Sequence, residues 1–529
     1  MMSEKLQTLP IGTFNFEKLR RMGNLYVDKT ARLVELADAG AWYFLSRPRR
    51  FGKSLTLSTL DAMFSGKTEL FQGLAAEAWV TEQAKHPCPV LRLDMSTMDV
   101  RDVPKFEASL MANLARRGEY AGVQVKSTLP GVALQDIIIG LHKAGGSVVV
   151  LIDEYDKPIL DKIGDLEGAE AMRMALRSFY TVIKACDEYL RFVMLTGISK
   201  FTKVGVFSAM NNLNDISMNR QYGDIVGYTQ EELERDFSGW IDRSAEELKI
   251  RHGELLRKLK AYYDGFCFDG VTRLYNPFSI LRFFSENAFA NYWYDSGSPS
   301  FIIRYFKRHA VQEPDVYRGI EVPLDFASTQ EIERARPESF LYQAGYLTIA
   351  KREDQVLTLD YPNEEVRLSI AQTVLDQMYH VSGFITLGTE LWRALGSGDL
   401  DEAVRLYNTA LSGVPYEDFK DPSESFYRSL FLMLLRGAGM RALGEVHTHK
   451  GRSDVLVQFP DRAVVLEFKL ARSAGEAARL RAEGQRQIEE KGYARPYDAE
   501  GRGVFSGVVV IDAKKRQAVP LHPSLQPQL

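Results

Sequence analysis

Apolar positions in the first 225 residues fall into short unbroken runs separated by stretches of helical period. Trp42–Ser46, Val90–Asp94, Val148–Asp153 and Arg191–Thr196 read as strands, with helical patterns such as Ser54–Phe64 and Ala169–Ala185 among them. Continuous apolar strands alternating with helices predict a parallel sheet covered on both faces, an α/β arrangement. Over about 226–415 the pattern changes to helix-compatible stretches such as Glu231–Ile250 and Asp401–Leu411, interrupted by the turn signals Asp264-Gly265 and Asn276-Pro277. A mostly helical middle and connecting region is expected there. The last stretch, 416–529, opens with a helix pattern at Ser423–Arg436. Strand patterns follow at Val455–Phe459 and Val464–Leu470, joined by Pro460-Asp461, then a helical stretch over about Gly475–Gly492 and a last strand at Gly507–Ile511. The expected order is helix, β-hairpin, helix, strand, in a second α/β domain.

Composition narrows the class. The chain has 529 residues, 45% hydrophobic and 26% charged, which excludes disordered, collagenous and coiled-coil proteins. No apolar run approaches the roughly 18–20 residues of a membrane span. The first residues, MMSEKLQTLPIG, lack the apolar core of a secretory signal. Cys88, Cys186 and Cys267 are too scattered for a disulfide framework or a zinc site. A soluble cytoplasmic protein with no membrane partner is expected. The net charge is −4, but from Arg441 onward fifteen Lys and Arg face eleven Asp and Glu. That +4 balance has the sign a phosphate-binding surface needs, so the last region is the one suited to nucleic acid.

Candidate chemistry begins at Ser46-Arg47-Pro48-Arg49-Arg50-Phe51-Gly52-Lys53-Ser54, where a buried strand enters a turn that opens a helix. Backbone N–H groups at such a helix start point at an anion, Lys53 adds a compact charge, and Ser54 can ligate Mg²⁺. The usual pattern is GxxxxGK[ST]; here Arg47 replaces the first glycine, and Arg47, Arg49 or Arg50 can supply cationic contacts instead. The strand Val148–Asp153 ends in Asp153-Glu154. Asp153 would hold Mg²⁺ and Glu154 would polarise the attacking water. Thr196 or Ser199, after the next strand, is placed to sense a γ-phosphate. Nothing in the chain reads a base, so ATP and GTP stay open.

A second constellation lies in the last region. Glu467 and Lys469 are i, i+2 on a strand and leave the same face, while Leu466, Phe468 and Leu470 point the other way. The hairpin brings Asp454 alongside. Two carboxylates would bind Mg²⁺ or Mn²⁺ and Lys469 would orient or deprotonate water, the set of a metal-dependent phosphodiesterase. Glu424 on the preceding helix and Gln487 on the following one are candidates to complete it. His447 and His449 share a face but lack the further ligands of a zinc site.

With these residues in view, the chain resembles the bacterial family that joins an N-terminal AAA-ATPase-like domain to a C-terminal PD-(D/E)XK nuclease-superfamily domain. The likeness is carried by Leu25-Tyr26-Val27-Asp28-Lys29-Thr30, the Arg47–Ser54 turn, and Leu151-Ile152-Asp153-Glu154-Tyr155-Asp156. It continues in Thr196-Gly197-Ile198-Ser199-Lys200-Phe201, Tyr263-Asp264-Gly265-Phe266 and Tyr275-Asn276-Pro277-Phe278-Ser279. It closes with Gly451-Arg452-Ser453-Asp454, Glu467-Phe468-Lys469 and Gln487-Ile488-Glu489-Glu490-Lys491-Gly492-Tyr493. The resemblance implies a P-loop ATPase domain over 1–225, a connecting region over 226–415 and a restriction-endonuclease-like domain over 416–529. It implies ATP and Mg²⁺ as cofactors and nucleic acid, DNA before RNA, as partner. Whether the chain forms a homo-oligomer is left open. Two functions are expected to compete: a nucleotide-regulated nuclease, and a nucleotide-dependent switch whose nuclease-like domain binds without cleaving.

Overall fold

The computed structural model describes residues 6–40, 42–162, 164–200, 212–295, 319–327, 336–381, 383–414, 423–448, 451–459, 461–493 and 503–520. Phe201, His449 and Pro460 lie outside these residues. Five strands, β1 (Trp42–Ser46), β2 (Val90–Asp94), β3 (Val148–Asp153), β4 (Leu190–Gly197) and β5 (Leu213–Asp215), make an all-parallel sheet in the order β2-β3-β4-β1-β5. β1 and β3 are buried at every position, because helices cover both faces and leave no place for an alternating polar residue. Helix α1 (Lys53–Phe64) follows β1 directly, and α2 (Leu166–Ala185) precedes β4. Phe44, Leu93, Val150, Ile152, Leu176 and Tyr180 belong to the core against this sheet. The order puts β4 between β1 and β3, with Leu45 level with Thr196 and Ile152 level with Leu195. The ends of three strands therefore meet at one edge.

The chain divides into two compact units, one of Met1–Gly297 with Tyr317–Glu365, the other including Val366–Leu529. Residue 225 is not a break in compactness: the helices that follow it share a core with the N-terminal segment, where Leu9, Leu25 and Val27 pack with Leu233, Phe237 and Ile241. The helix-compatible stretch Glu231–Ile250 holds two helices, Gln230–Asp236 and Ser238–Glu247. Thr229 and Glu232 form a reciprocal cap at its start, and the break falls at Phe237, buried and stacked on Phe284 at 5.4 Å. Helices dominate the middle region, which also holds an antiparallel sheet of β6 (Ile320–Pro323), β7 (Thr348–Glu353) and β8 (Val356–Asp360), in the order β6-β8-β7.

In the second unit, α3 (Glu424–Gly437) leads into β9 (Ala442–Thr448), β10 (Gly451–Gln458) and β11 (Arg462–Ala471). Helix α4 (Ala477–Lys491), β12 (Gly503–Asp512) and β13 (Gln517–Ala518) follow. The sheet order is β13-β12-β11-β10-β9, with β11 and β12 parallel and the other pairs antiparallel. The sequence order is the expected one with β9 added ahead of the hairpin; its run Ala-Leu-Gly-Glu-Val-His-Thr lacks a clean two-residue alternation. Among the described residues no helix is long and apolar enough to cross a membrane.

Candidate functional site

The turn after β1 closes on itself. Lys53 is buried, and its ammonium donates to the carbonyls of Arg47 at 2.8 Å and Pro48 at 2.9 Å. Burial holds this lysine below its usual pKa, while Glu154, Asp153 and Asp156 act in the opposite sense. Gly52 takes φ of +97° at the helix start, a conformation side-chain-bearing residues rarely adopt, and Ser54 stands half-buried in the first turn of α1. Phe51 anchors the turn from below, edge-on to Phe266 at 4.9 Å and Phe268 at 5.5 Å. The carbonyl of Arg49 accepts from the Trp293 indole at 3.0 Å, and Arg49 lies within electrostatic reach of Lys53 and Glu154. Arg50 has φ of +66° and lays its guanidinium over Phe278 at 5.1 Å.

Arg47 departs from expectation. Instead of offering its charge to a ligand at the turn, the guanidinium is buried 4.4 Å over the Phe268 ring and donates to the carbonyls of Ser46 and Ser217. Burial pulls its pKa down to about 10, and its Nε and Nη2 have no hydrogen-bond partner. The residue that replaces the first glycine of the usual pattern is thus a strut under the turn, held by a cation–π contact and two carbonyls.

At the end of β3, Asp153 is buried and accepts from the Thr196 hydroxyl at 2.7 Å. Thr196 therefore holds this carboxylate across β4's edge. Glu154, next in line, has φ of +48°, a strained backbone for a non-glycine residue, and burial pushes its carboxyl above its usual pKa. Asp156, the last residue of the Leu151–Asp156 motif, has a role that its sequence position alone does not show. It is buried and accepts from the N–H of Ile198, the N–H of Ser199 and the Ser199 hydroxyl, the last two at 2.7 and 2.8 Å. Ser199 is thereby committed to Asp156, and the β3 and β4 loops are locked together.

In the second unit the register pairs Val455 with Leu466, and one step further the Asp454 carboxylate accepts the Phe468 N–H at 2.8 Å. Glu467 and Lys469 share a face, as their spacing requires: Lys469 donates to Glu467 Oε1 at 3.2 Å and to Gln487 Oε1 at 2.9 Å. The Gln487 amide also donates to Glu467 Oε1. Phe468 points the other way, edge-on to Phe431 of α3 at 5.4 Å. Glu424 accepts the Leu470 N–H at 3.1 Å, and burial raises its pKa. The five expected residues Asp454, Glu467, Lys469, Glu424 and Gln487 thus converge. Burial first, and then repulsion from Asp454, pushes Glu467 up to about 7. Its Oε2 is buried without a partner.

Tyr493, the last residue of the Gln487–Tyr493 motif, and Arg428, which stands outside every motif named above, join this site. Tyr493 accepts weakly from Gln487 at 3.4 Å, and Arg428 donates to Asp454 Oδ1 at 2.8 Å. A charged residue on the apolar face Phe426–Leu435, four positions after Glu424, was the available signal for Arg428.

A parallel sheet with a lysine-filled phosphate-type turn in one unit, and a carboxylate–lysine cluster on a mixed sheet in the other, fit the class of proteins that join an ATPase-like domain to a nuclease-fold domain. Residues 10–207 match the family of predicted AAA-ATPases, and residues 422–520 match the PD-(D/E)XK nuclease superfamily. The chain is 33% identical over 512 residues to the uncharacterized protein in the vnfD 5′ region of Azotobacter chroococcum mcd 1, covering 94% of this chain and 95% of that protein. It belongs to the family that joins an AAA-ATPase-like domain to a PD-(D/E)XK nuclease-superfamily domain. Among solved structures it is similar to the Aeropyrum pernix ORC1 protein in complex with DNA, at 12% identity and a TM-score of 0.25, covering 65% of this chain and 91% of that one. That likeness is too slight to bear on what this chain does.

Proposed function

We propose that the protein binds and hydrolyses ATP at the Arg47–Ser54 turn and cleaves phosphodiester bonds, in DNA, at the Asp454–Glu467–Lys469 cluster. The observation that carries the nuclease reading is Glu467 Oε2, a carboxylate oxygen buried without a partner, in a carboxyl group that burial first and Asp454 second push up to about 7. A divalent cation suits that oxygen, with Glu467 and Asp454 as its holders and Glu424 beside them. Few protein oxygens are on offer, which fits Mg²⁺, an ion that keeps several of its waters, with Mn²⁺ a substitute. When bound, such an ion supplies positive charge to a phosphate and makes water more acidic. The chain's own groups do the rest. Gln487 and Glu467 fix the Lys469 ammonium between them, where it can orient water and meet charge on the phosphate.

At the first site, Gly52 and the N-terminus of α1 offer backbone N–H groups to phosphate oxygens, and Lys53 exchanges its two carbonyls for them. Ser54 and Asp153 would hold Mg²⁺, with Thr196 fixing the Asp153 carboxylate. Glu154, close to Lys53, is the group to polarise water. The Arg428–Asp454 ion pair supports a second reading, a nucleotide-dependent switch that binds nucleic acid without cutting it. Single-turnover cleavage of plasmid, linear and single-stranded DNA and of RNA with Mg²⁺ or Mn²⁺ separates the two. The nuclease reading expects Asp454→Asn and Lys469→Ala each to lose at least ~100-fold in rate. Wild-type protein that binds ATP and leaves every substrate intact would favour the switch.

A further inference from the structure

Arg428 sits on α3 one helical turn after Glu424, so the two side chains leave the same face. Its neighbours Phe426, Tyr427, Leu430 and Phe431 are all buried, and Arg428 itself is 8% exposed. A guanidinium in such a place is costly unless paired, and this one meets Asp454 Oδ1 at 2.8 Å. The other Asp454 oxygen accepts the Phe468 N–H. Both oxygens of Asp454 are therefore engaged, whereas Glu467 Oε2 is not. Among the described residues no three His, Cys, Asp or Glu side chains form a group able to hold a metal ion. The Asp454 oxygen that a cation would take already faces one.

We infer that Arg428 is the resident cation of the carboxylate site: it holds Asp454 in place and competes with a divalent ion for Asp454 Oδ1. The inference rests on the reading of Asp454 and Glu467 as metal holders. Metal affinity is then set by how readily the guanidinium leaves. Its planar fork of donors matches a phosphate as well as a carboxylate, so a phosphodiester entering the site is the anion that draws it away. Substrate and metal assist each other's binding, and by linkage the effect is reciprocal. Arg428 is on this account a positioning residue.

The test is Mn²⁺ binding to the full chain, followed by the electron paramagnetic resonance of the free ion, alongside thermal unfolding with and without Mn²⁺. Arg428→Met should bind Mn²⁺ at least tenfold more tightly than wild type. Without metal it should melt lower, because Asp454 is left unpaired, and Mn²⁺ should raise its Tm more than it raises that of wild type. Asp454→Asn should lose the binding. If wild type binds, Asp454→Asn does not, and Arg428→Met binds no more tightly than wild type, Arg428 is a scaffold contact and the inference is wrong while the metal reading stands. If no protein binds Mn²⁺, both fall. Should Arg428→Met fail to fold, Arg428→Lys takes its place. A compact ammonium on a shorter reach, which loses the guanidinium's contact with Asp454 Oδ1, should tighten Mn²⁺ severalfold, and unchanged affinity would overturn the proposal.

Discussion

Two buried carboxyl groups, Glu467 and Asp264, each keep one oxygen without a hydrogen-bond partner, and the contrast between them is informative. Glu467 lies among Asp454, Glu424 and Lys469, where a cation would complete it. Asp264 lies in the Asp264-Gly265 turn of the middle region, and burial, the dominant cause, raises its pKa. A carboxyl whose pKa is raised on folding retains its proton longer in the folded state than in the unfolded one. Stability is then lost as pH climbs from the unfolded value through the raised one. Asp264→Asn should therefore gain stability at pH 7, by about 1 kcal/mol or roughly 2 °C in Tm, and gain nothing near pH 4. Calorimetry at the two pH values checks this; an equal effect at both would show that ionisation is not the cause. At this scale most of the site was legible, because Asp454, Glu467, Lys469, Glu424 and Gln487 follow from strand period and helix placement. Arg428 and Asp156 were not, since each acts through a partner remote in sequence.

The phosphate-type turn is built from beneath by elements of the same unit. Phe51 is wedged between Phe266 and Phe268, Trp293 donates to the Arg49 carbonyl, and Gly345 approaches Pro48 so closely that a Cβ there would lie 2.6 Å from the proline ring carbon. Gly345 also has φ of +90°. Gly345→Ala should cost about 2 kcal/mol and, by pressing on Pro48, weaken ATP binding. Phe51→Ala should cost roughly 3–5 kcal/mol through the cavity it leaves. Unfolding curves and titration calorimetry with ATP read both, and full ATP affinity in Gly345→Ala would show that the turn does not depend on this support. The strands β1, β3 and β4 were legible because each carries a continuous apolar run, as a doubly covered sheet requires, and β2 because its apolar residues alternate around Arg92. β5, β13 and the β6–β8 sheet were not, because strands of two to six residues at a sheet edge or in a small sheet carry too few positions for a period to show.

At the scale of the whole molecule, each unit carries its own proposed ligand. Whatever binds only the folded state raises its stability, by about 2.7 kcal/mol at a concentration 100 times Kd. Mg²⁺-ATP and Mn²⁺ should each raise the unfolding temperature of the wild-type chain. Lys53→Ala should abolish the ATP effect and keep the Mn²⁺ effect, and Asp454→Asn should do the reverse. Loss of both effects in either variant would mean that each ligand does not bind at the site proposed for it. The division of the chain by compactness was not legible at residue 225, because the aromatic middle region packs with the N-terminal segment across more than 200 residues of sequence.

The most direct measurement is the rate of DNA cleavage by the full chain with Mg²⁺, with and without ATP, for wild type, Lys53→Ala and Asp454→Asn. The account predicts metal-dependent cutting by wild type that changes with ATP, cutting by Lys53→Ala that ignores ATP, and none by Asp454→Asn. Cutting that persists in Asp454→Asn, or that responds to ATP equally in Lys53→Ala, would contradict it.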